Sequence, residues 1–157
     1  MLQRIQTVYL TASVILCVLL FSFPMAKFHN DTGIYILSAI GIKYVSIYDP
    51  AIFVNFWLTF PMLILTIASI IITGIAILLY KKRRNQLILV NISFLLNIIV
   101  IALVYLYYIG YIENLSKVVP SYRFGIFLPI ISMVLLVLAN RAIRKDEALV
   151  KSADRLR

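Results

Sequence analysis

Four stretches of this 157-residue chain are apolar and long enough to cross a lipid bilayer: about Ile5 to Phe23, Trp57 to Tyr80, Leu87 to Ile112, and Phe124 to Ala139. A bilayer core of roughly 30 Å asks about 20 apolar residues of a helix, and lipid offers no partner to an unpaired backbone group. Each stretch is therefore expected to be a helix. A fifth run, Gly33 to Ile42, is too short to span. Hydrophobic residues occupy 63% of positions and charged ones 13%, so four spans and their loops leave no room for a separate soluble domain.

The basic residues set the expected orientation. Arg4 precedes the first span, Lys81-Lys82-Arg83-Arg84 joins the second to the third, and Arg141, Arg144, Lys145, Lys151, Arg155 and Arg157 follow the fourth. The other loops hold only Lys27, Lys43, Lys117 and Arg123. Cytoplasmic loops are enriched in Lys and Arg, so both termini and the basic turn are expected in the cytoplasm. The net charge of +9 reads as topology and lipid contact, with Lys81, Lys82, Arg83 and Arg84 meeting anionic headgroups, and no nucleic-acid partner is expected. Aromatic residues such as Trp57, Phe60, Tyr105, Tyr107, Tyr111, Tyr122 and Phe124 gather at span ends on the opposite, outer side, where rings favour the headgroup level. The first run is too long for a signal-peptide core, and Pro24 stands where a cleavage site needs a small residue. Leu16 before Cys17 speaks against a lipoprotein.

Between the first two spans, Ile34 to Ser38 and Ile42 to Tyr48 read as a short β-hairpin, within about 33–48, that packs over the helix ends. Asp49-Pro50 then has the form of an N-cap followed by a first-turn proline, and Pro61 and Pro129 are expected to kink their helices. After Asn140 the chain holds no Gly or Pro, so the last helix is expected to continue into the cytoplasm as an amphipathic extension. Ala142, Ile143, Leu149, Val150, Ala153 and Leu156 share one face, with Arg144, Glu147, Lys151 and Arg155 opposite. Asp146 falls inside the apolar arc, which favours a protein contact over anionic lipid and a pairing with an arginine such as Arg4.

No charged residue lies in the middle of a span, which argues against proton relays and ion-coupled transport. Thr59, Thr66, Ser69, Thr73 and Ala76 recur at 3–4 spacing, and Ser93 and Asn97 match them on the third helix. Small residues and hydroxyls at that spacing point to interhelical contacts, with Thr66, Ser69, Thr73, Asn91, Ser93 and Asn97 as candidates. The one histidine, His29, and the one cysteine, Cys17, have no companions for a metal site or disulfide, and no nucleotide or hydrolase motif is present. No catalytic residue, metal or cofactor is expected.

The opening Met1-Leu-Gln-Arg-Ile-Gln-Thr-Val-Tyr-Leu10, the closing segment Arg141 to Arg157, and Leu128-Pro129 and Leu138-Ala139-Asn140 resemble a small family of uncharacterised four-helix membrane proteins from Bacteroidota. The resemblance covers the chain end to end, its specific part lying in the termini. It implies a bacterial inner-membrane protein and brings no activity with it. It also draws attention to Gln3, Arg4, Gln6, Arg141, Arg144, Lys145, Asp146, Glu147, Asp154 and Arg155.

The sequence thus reads as an all-α membrane protein: a single domain of four transmembrane helices (about 5–26, 50–80, 86–112 and 122–157), both ends cytoplasmic, with an outer hairpin. Its expected function is that of a non-enzymatic accessory or scaffold subunit. It would present the basic turn and the amphipathic C-terminal helix to a protein partner through Arg4, Arg141, Arg144, Asp146, Glu147, Leu149, Val150, Asp154 and Arg155. The alternative is a small transporter or lipid-binding protein using the outer aromatic belt and the Asn91, Ser93, Asn97 face.

Overall fold

The computed structural model describes residues 2–30, 33–46, 52–53, 56–80, 82–116 and 119–155. It is mostly helical, with a small antiparallel sheet across one end. The main helices are α1 (Leu2–Leu19), α2 (Phe56–Leu78), α3 (Arg83–Ala102), α4 (Ile109–Ser116) and α5 (Leu128–Arg155). A π-helical segment, Leu103–Tyr108, joins α3 to α4 without a break, and a 3-10 turn, Phe124–Phe127, leads into α5.

Three segments have the length and composition of membrane spans: Trp57–Leu78, Arg83–Asn114 and Phe124–Val150. The apolar part of α1, Ile5–Leu19, is shorter. Around these helices the usual order of inside and outside is reversed. Ile64, Ile67, Ile71 and Ile75 on α2, and Leu95, Ile98 and Ile99 on α3, are exposed, whereas Thr59, Thr66, Ser69, Thr73, Ser93 and Asn97 are buried. A water-soluble protein would lose about 25 cal/mol for every Å² of apolar surface left wet, so this surface is made for lipid.

The strongest helix contacts run from α1 to α5, α5 to α3, α3 to α2 and α2 back to α1. Each helix buries one narrow stripe spaced alternately by three and four residues. In α1 the stripe is Gln6, Leu10, Ser13 and Cys17, continued by Leu20 just past its end; in α3 it is Gln86, Val90, Ser93, Asn97 and Val100; in α5 it is Ser132, Leu136, Ala139, Ile143 and Asp146. A mean spacing of 3.5 residues gives the seam of near-parallel, coiled-coil-like packing. The stripes are rich in small and weakly polar side chains, which let helices approach closely in lipid.

Beyond Val100 the buried positions pass into the π-helical segment and α4 as Val104, Tyr108 with its neighbour Ile109, and Ile112, so that Val100, Val104, Tyr108 and Ile112 are each four residues apart. An α-helix advances 100° per residue, so a four-residue step overshoots by about 40° and would carry these side chains off the seam. The π-helical segment widens the turns at this point and keeps Val104 and Tyr108 facing inward.

The hairpin expected near 33–48 is part of a larger sheet of five strands in the order β4-β3-β2-β1-β5. These are β1 (Ala26–Asn30), β2 (Gly33–Leu37), β3 (Ile42–Ser46), β4 (Ile52–Phe53) and β5 (Ser121–Tyr122). Leu37 pairs with Ile42 and Gly33 with Ser46, closed by a tight turn in which Ser38 and Gly41 exchange backbone hydrogen bonds. Along β1, Ala26 and Phe28 are buried while His29 is exposed, the period-two pattern of a sheet with one covered face. That face lies on Leu20, Met62, Tyr108, Ile112 and Leu128.

Several expected boundaries change as a result. The first helix, expected to reach residue 26, ends at Leu19. Pro24 follows closely and biases its neighbour toward extended backbone. The chain then enters the sheet, Met25 N–H donating to the Leu37 carbonyl at 2.8 Å and Arg123 N–H to the Met25 carbonyl at 2.9 Å. The second helix begins at Phe56 rather than 50, because Ile52–Phe53 pairs with Lys43 and Tyr44; the expected cap at Asp49-Pro50 lies outside the described residues. The fourth helix begins at Leu128 rather than 122, since Ser121–Tyr122 is drawn onto β1. Pro129 falls in the first turn of α5, just after the 3-10 turn, a position where proline is well tolerated.

Candidate functional site

Two polar regions stand out, one inside the helices and one at the basic end. In the interior, Ser13 on α1 and Ser132 on α5 share a hydrogen bond of 2.8 Å, and the Cys17 thiol lies 3.5 Å from Ser132 Oγ and 3.9 Å from Asn97 Oδ1. Asn97 donates through Nδ2 to Ser69 Oγ on α2 at 3.0 Å and to the Ser93 carbonyl at 2.9 Å. Thr73 Oγ1 lies 3.0 Å from Ser93 Oγ and 2.7 Å from the carbonyl of Ser69. A chain of hydroxyl, thiol and amide groups thus links α1, α5, α3 and α2. Each is almost fully buried and each is engaged by another. Polar groups so engaged with one another fasten helices together.

Of the residues expected to make interhelical contacts, Ser69, Thr73, Ser93 and Asn97 meet here. Thr66 donates to the Met62 carbonyl of its own helix at 2.8 Å. Asn91 points elsewhere: it is exposed, and it accepts a hydrogen bond from Asn140 of α5. Helical geometry explains the separation, since residues 91 and 93 lie about 200° apart around the axis.

At the basic end, Arg83, the first residue of α3, reaches across to α5. Its Nη1 donates to the Asp146 carbonyl at 2.8 Å, and its Nη2 lies 3.1 Å from Asp146 Oδ2. Asp146 therefore pairs with Arg83; the side chain of Arg4 lies outside the described residues. The contact is ionic and off-axis: Oδ2 has no hydrogen-bond donor, nor has the buried Gln86 Oε1. On α1, Gln6 Nε2 donates to the Ala142 carbonyl at 3.2 Å. Three elements, α1, the basic turn and α5, are thereby joined at one end.

The other candidates fall around this clasp. Lys82, Arg84, Arg141, Arg144 and Lys145 are exposed, as are Leu149 and Val150, at 48% and 43%. Glu147 is half-buried. The side chains of Lys81, Lys151, Ala153, Asp154, Arg155 and Leu156 lie outside the described residues. Ile143 is buried, so the apolar arc of the tail divides: its first turn packs on the helices and its later turns are open. Asn91 was expected to make an interhelical contact and makes one, with Asn140 of α5; Gln86 and Asn140 were not expected to take part. Gln86 continues the three-and-four spacing of Val90, Ser93 and Asn97 backward by one turn, which is a legible signal.

No group of three or more His, Cys, Asp or Glu residues suited to a metal ion occurs among the described residues. No curated protein matches the chain. Over residues 2–156 the sequence matches a family described as a domain of unknown function (DUF4293), and the chain belongs to that family.

Proposed function

We propose that this protein is a non-enzymatic accessory or scaffold subunit of the bacterial cytoplasmic membrane, crossing it with four helices and keeping both ends and the basic turn in the cytoplasm. The asymmetry of Lys and Arg supports the orientation, and the exposed aromatic residues at the sheet end, Trp57, Tyr105, Tyr107, Tyr122 and Phe124, suit the opposite headgroup layer. Counting α1 as a span rests on its 18 residues, about 27 Å of helix, and on its packing against α5 and α2.

The observation that carries the role is the exposure of Leu149 and Val150 on a helix anchored one turn earlier by the Asp146–Arg83 pair. An apolar pair held rigidly among Arg141, Arg144 and Lys145 has the makeup of a protein-binding surface, with apolar anchors inside a charged rim. Crosslinked purification from native membranes tests it. A defined partner should be recovered with the native chain and lost with L149E/V150E, while membrane insertion is unchanged. An identical set of crosslinked proteins from both would remove the proposal.

The transporter reading is less well supported. It needs Asn91, Ser93 and Asn97 to line one path, whereas Ser93 and Asn97 are engaged with Thr73 and Ser69 and Asn91 lies on another side.

A further inference from the structure

A groove follows the lipid-facing seam between α3 and α5. Its upper part, of about 300 Å³, is lined by Val90, Asn91, Phe94, Asn140, Arg141 and Arg144. At Phe94, Val137 and Arg141 it passes into a second, almost wholly apolar part of about 340 Å³ that reaches Ile130. From Arg141 to Ile130 is 11 residues of helix, about 16 Å, close to half of a hydrocarbon core of roughly 30 Å. The trough is one leaflet deep.

Its mouth carries charge with no partner. Arg141 and Arg144 are exposed, and neither has an ion pair or hydrogen bond among the described residues. They stand one turn apart beside the Asn91–Asn140 pair. Guanidinium groups are suited to bidentate binding of phosphate, and basic pockets between membrane helices receive lipid headgroups. A recess of similar size on α1, about 320 Å³ lined by Thr7, Val8, Thr11, Ala12 and Ile15, has no cation in its lining. Of these two recesses, only the α3–α5 groove joins an apolar trough to a pair of arginines.

We infer that this groove binds an anionic phospholipid from the leaflet on the basic side, one acyl chain lying along Phe94, Val137 and Ile130 and the phosphate held by Arg141 and Arg144. The inference requires α3 and α5 to lie in the membrane and is independent of the accessory role. L149E/V150E should leave lipid binding unchanged, so the two readings can fail separately.

Native mass spectrometry of the full chain in mild detergent tests it, titrating phosphatidylglycerol and phosphatidylcholine of identical acyl composition. Phosphatidylglycerol should bind at least about tenfold more tightly, and R141Q/R144Q should weaken it about 30-fold, as expected for two arginines at a headgroup. K82Q/R84Q removes the same charge from the basic turn, which meets headgroups outside the groove, and should weaken binding several-fold less than R141Q/R144Q does. V137W fills the trough and should lower retention of both lipids; helicity and monodispersity verify that each variant is folded. Equal binding of the two lipids, or an equal loss in K82Q/R84Q and R141Q/R144Q, would overturn the inference. So would displacement of bound lipid by millimolar inorganic phosphate, which would assign the arginines to a free anion.

Discussion

At the sheet end the interior is filled by large side chains: Phe28, Leu37 and Ile42 from the strands meet Met62, Tyr108 and Leu128 from the helices, all at 0–1% exposure. Tyr108 also donates its hydroxyl to the Leu58 carbonyl at 2.9 Å. At the basic end the buried cluster is smaller, Leu10, Ala76, Val90, Leu136, Ala139 and Ile143, and the rest of the holding is polar. There Gln86 Oε1 and Asp146 Oδ2 lie buried without hydrogen-bond donors. On the proposed topology the sheet end faces water on one side, so burying Phe28 draws on the hydrophobic effect. On the same topology the basic end sits where lipid meets water, and its helices gain little from burying one apolar surface against another, because lipid tails are just as apolar. Shape and a few polar contacts must serve instead.

Substitutions can break that contrast. The largest effect is expected from Phe28→Ala, which should destabilise the protein by about 4 kcal/mol in equilibrium unfolding from mixed micelles, because it empties the space between sheet and helices. Gly125→Ala should follow at about 2 kcal/mol, since an added Cβ would lie 2.5 Å from the Pro24 carbonyl oxygen and 2.7 Å from that of Phe23. Amide exchange should locate its damage at β1 and β5, with the basic end still protected.

At the other end the effects should be smaller. Asp146→Asn is expected to lose about 1 kcal/mol, and the difference should shrink as salt is raised, because the pair is partly exposed. If it rivalled Phe28→Ala, the two ends would not differ as argued. Ser13→Ala, which removes one hydrogen bond to Ser132 in the interior, should lose only about 0.6 kcal/mol in the same unfolding measurement. A loss of several kcal/mol would mean that the polar chain through Cys17 and Asn97 acts as a unit rather than as separate contacts.

Much of the helical part was legible before any coordinates. The apolar stretches mark α2, α3 and α5, and the Thr66, Ser69, Thr73 spacing marks the buried side of α2, because polar side chains in lipid seek one another. The sheet was half legible. Gly33–Leu37 and Ile42–Ser46 carry strand residues around a turn, but Ala26–Asn30 runs from the expected end of the first helix into a turn-rich stretch and Ser121–Tyr122 is too short to carry a pattern. Both are strands because their backbone groups find partners distant in sequence. The clasp was legible only as a question: Asp146 in an apolar arc needs a cation, and Arg4, Arg83 and Arg84 are all basic residues of the same end.

Periodicity and charge along the chain determined that its helices are apolar outside and weakly polar within, and that its cations collect at the ends of the apolar stretches. These are properties of single segments in their solvent, so one segment at a time reveals them. Which arginine meets Asp146, that α3 must widen into a π-helical segment to keep Val104 and Tyr108 inward, and that Arg141 and Arg144 stand at the mouth of a groove were decided only by tertiary structure. Each depends on how far one helix is rotated and slid against another, and that follows from packing all the side chains at once.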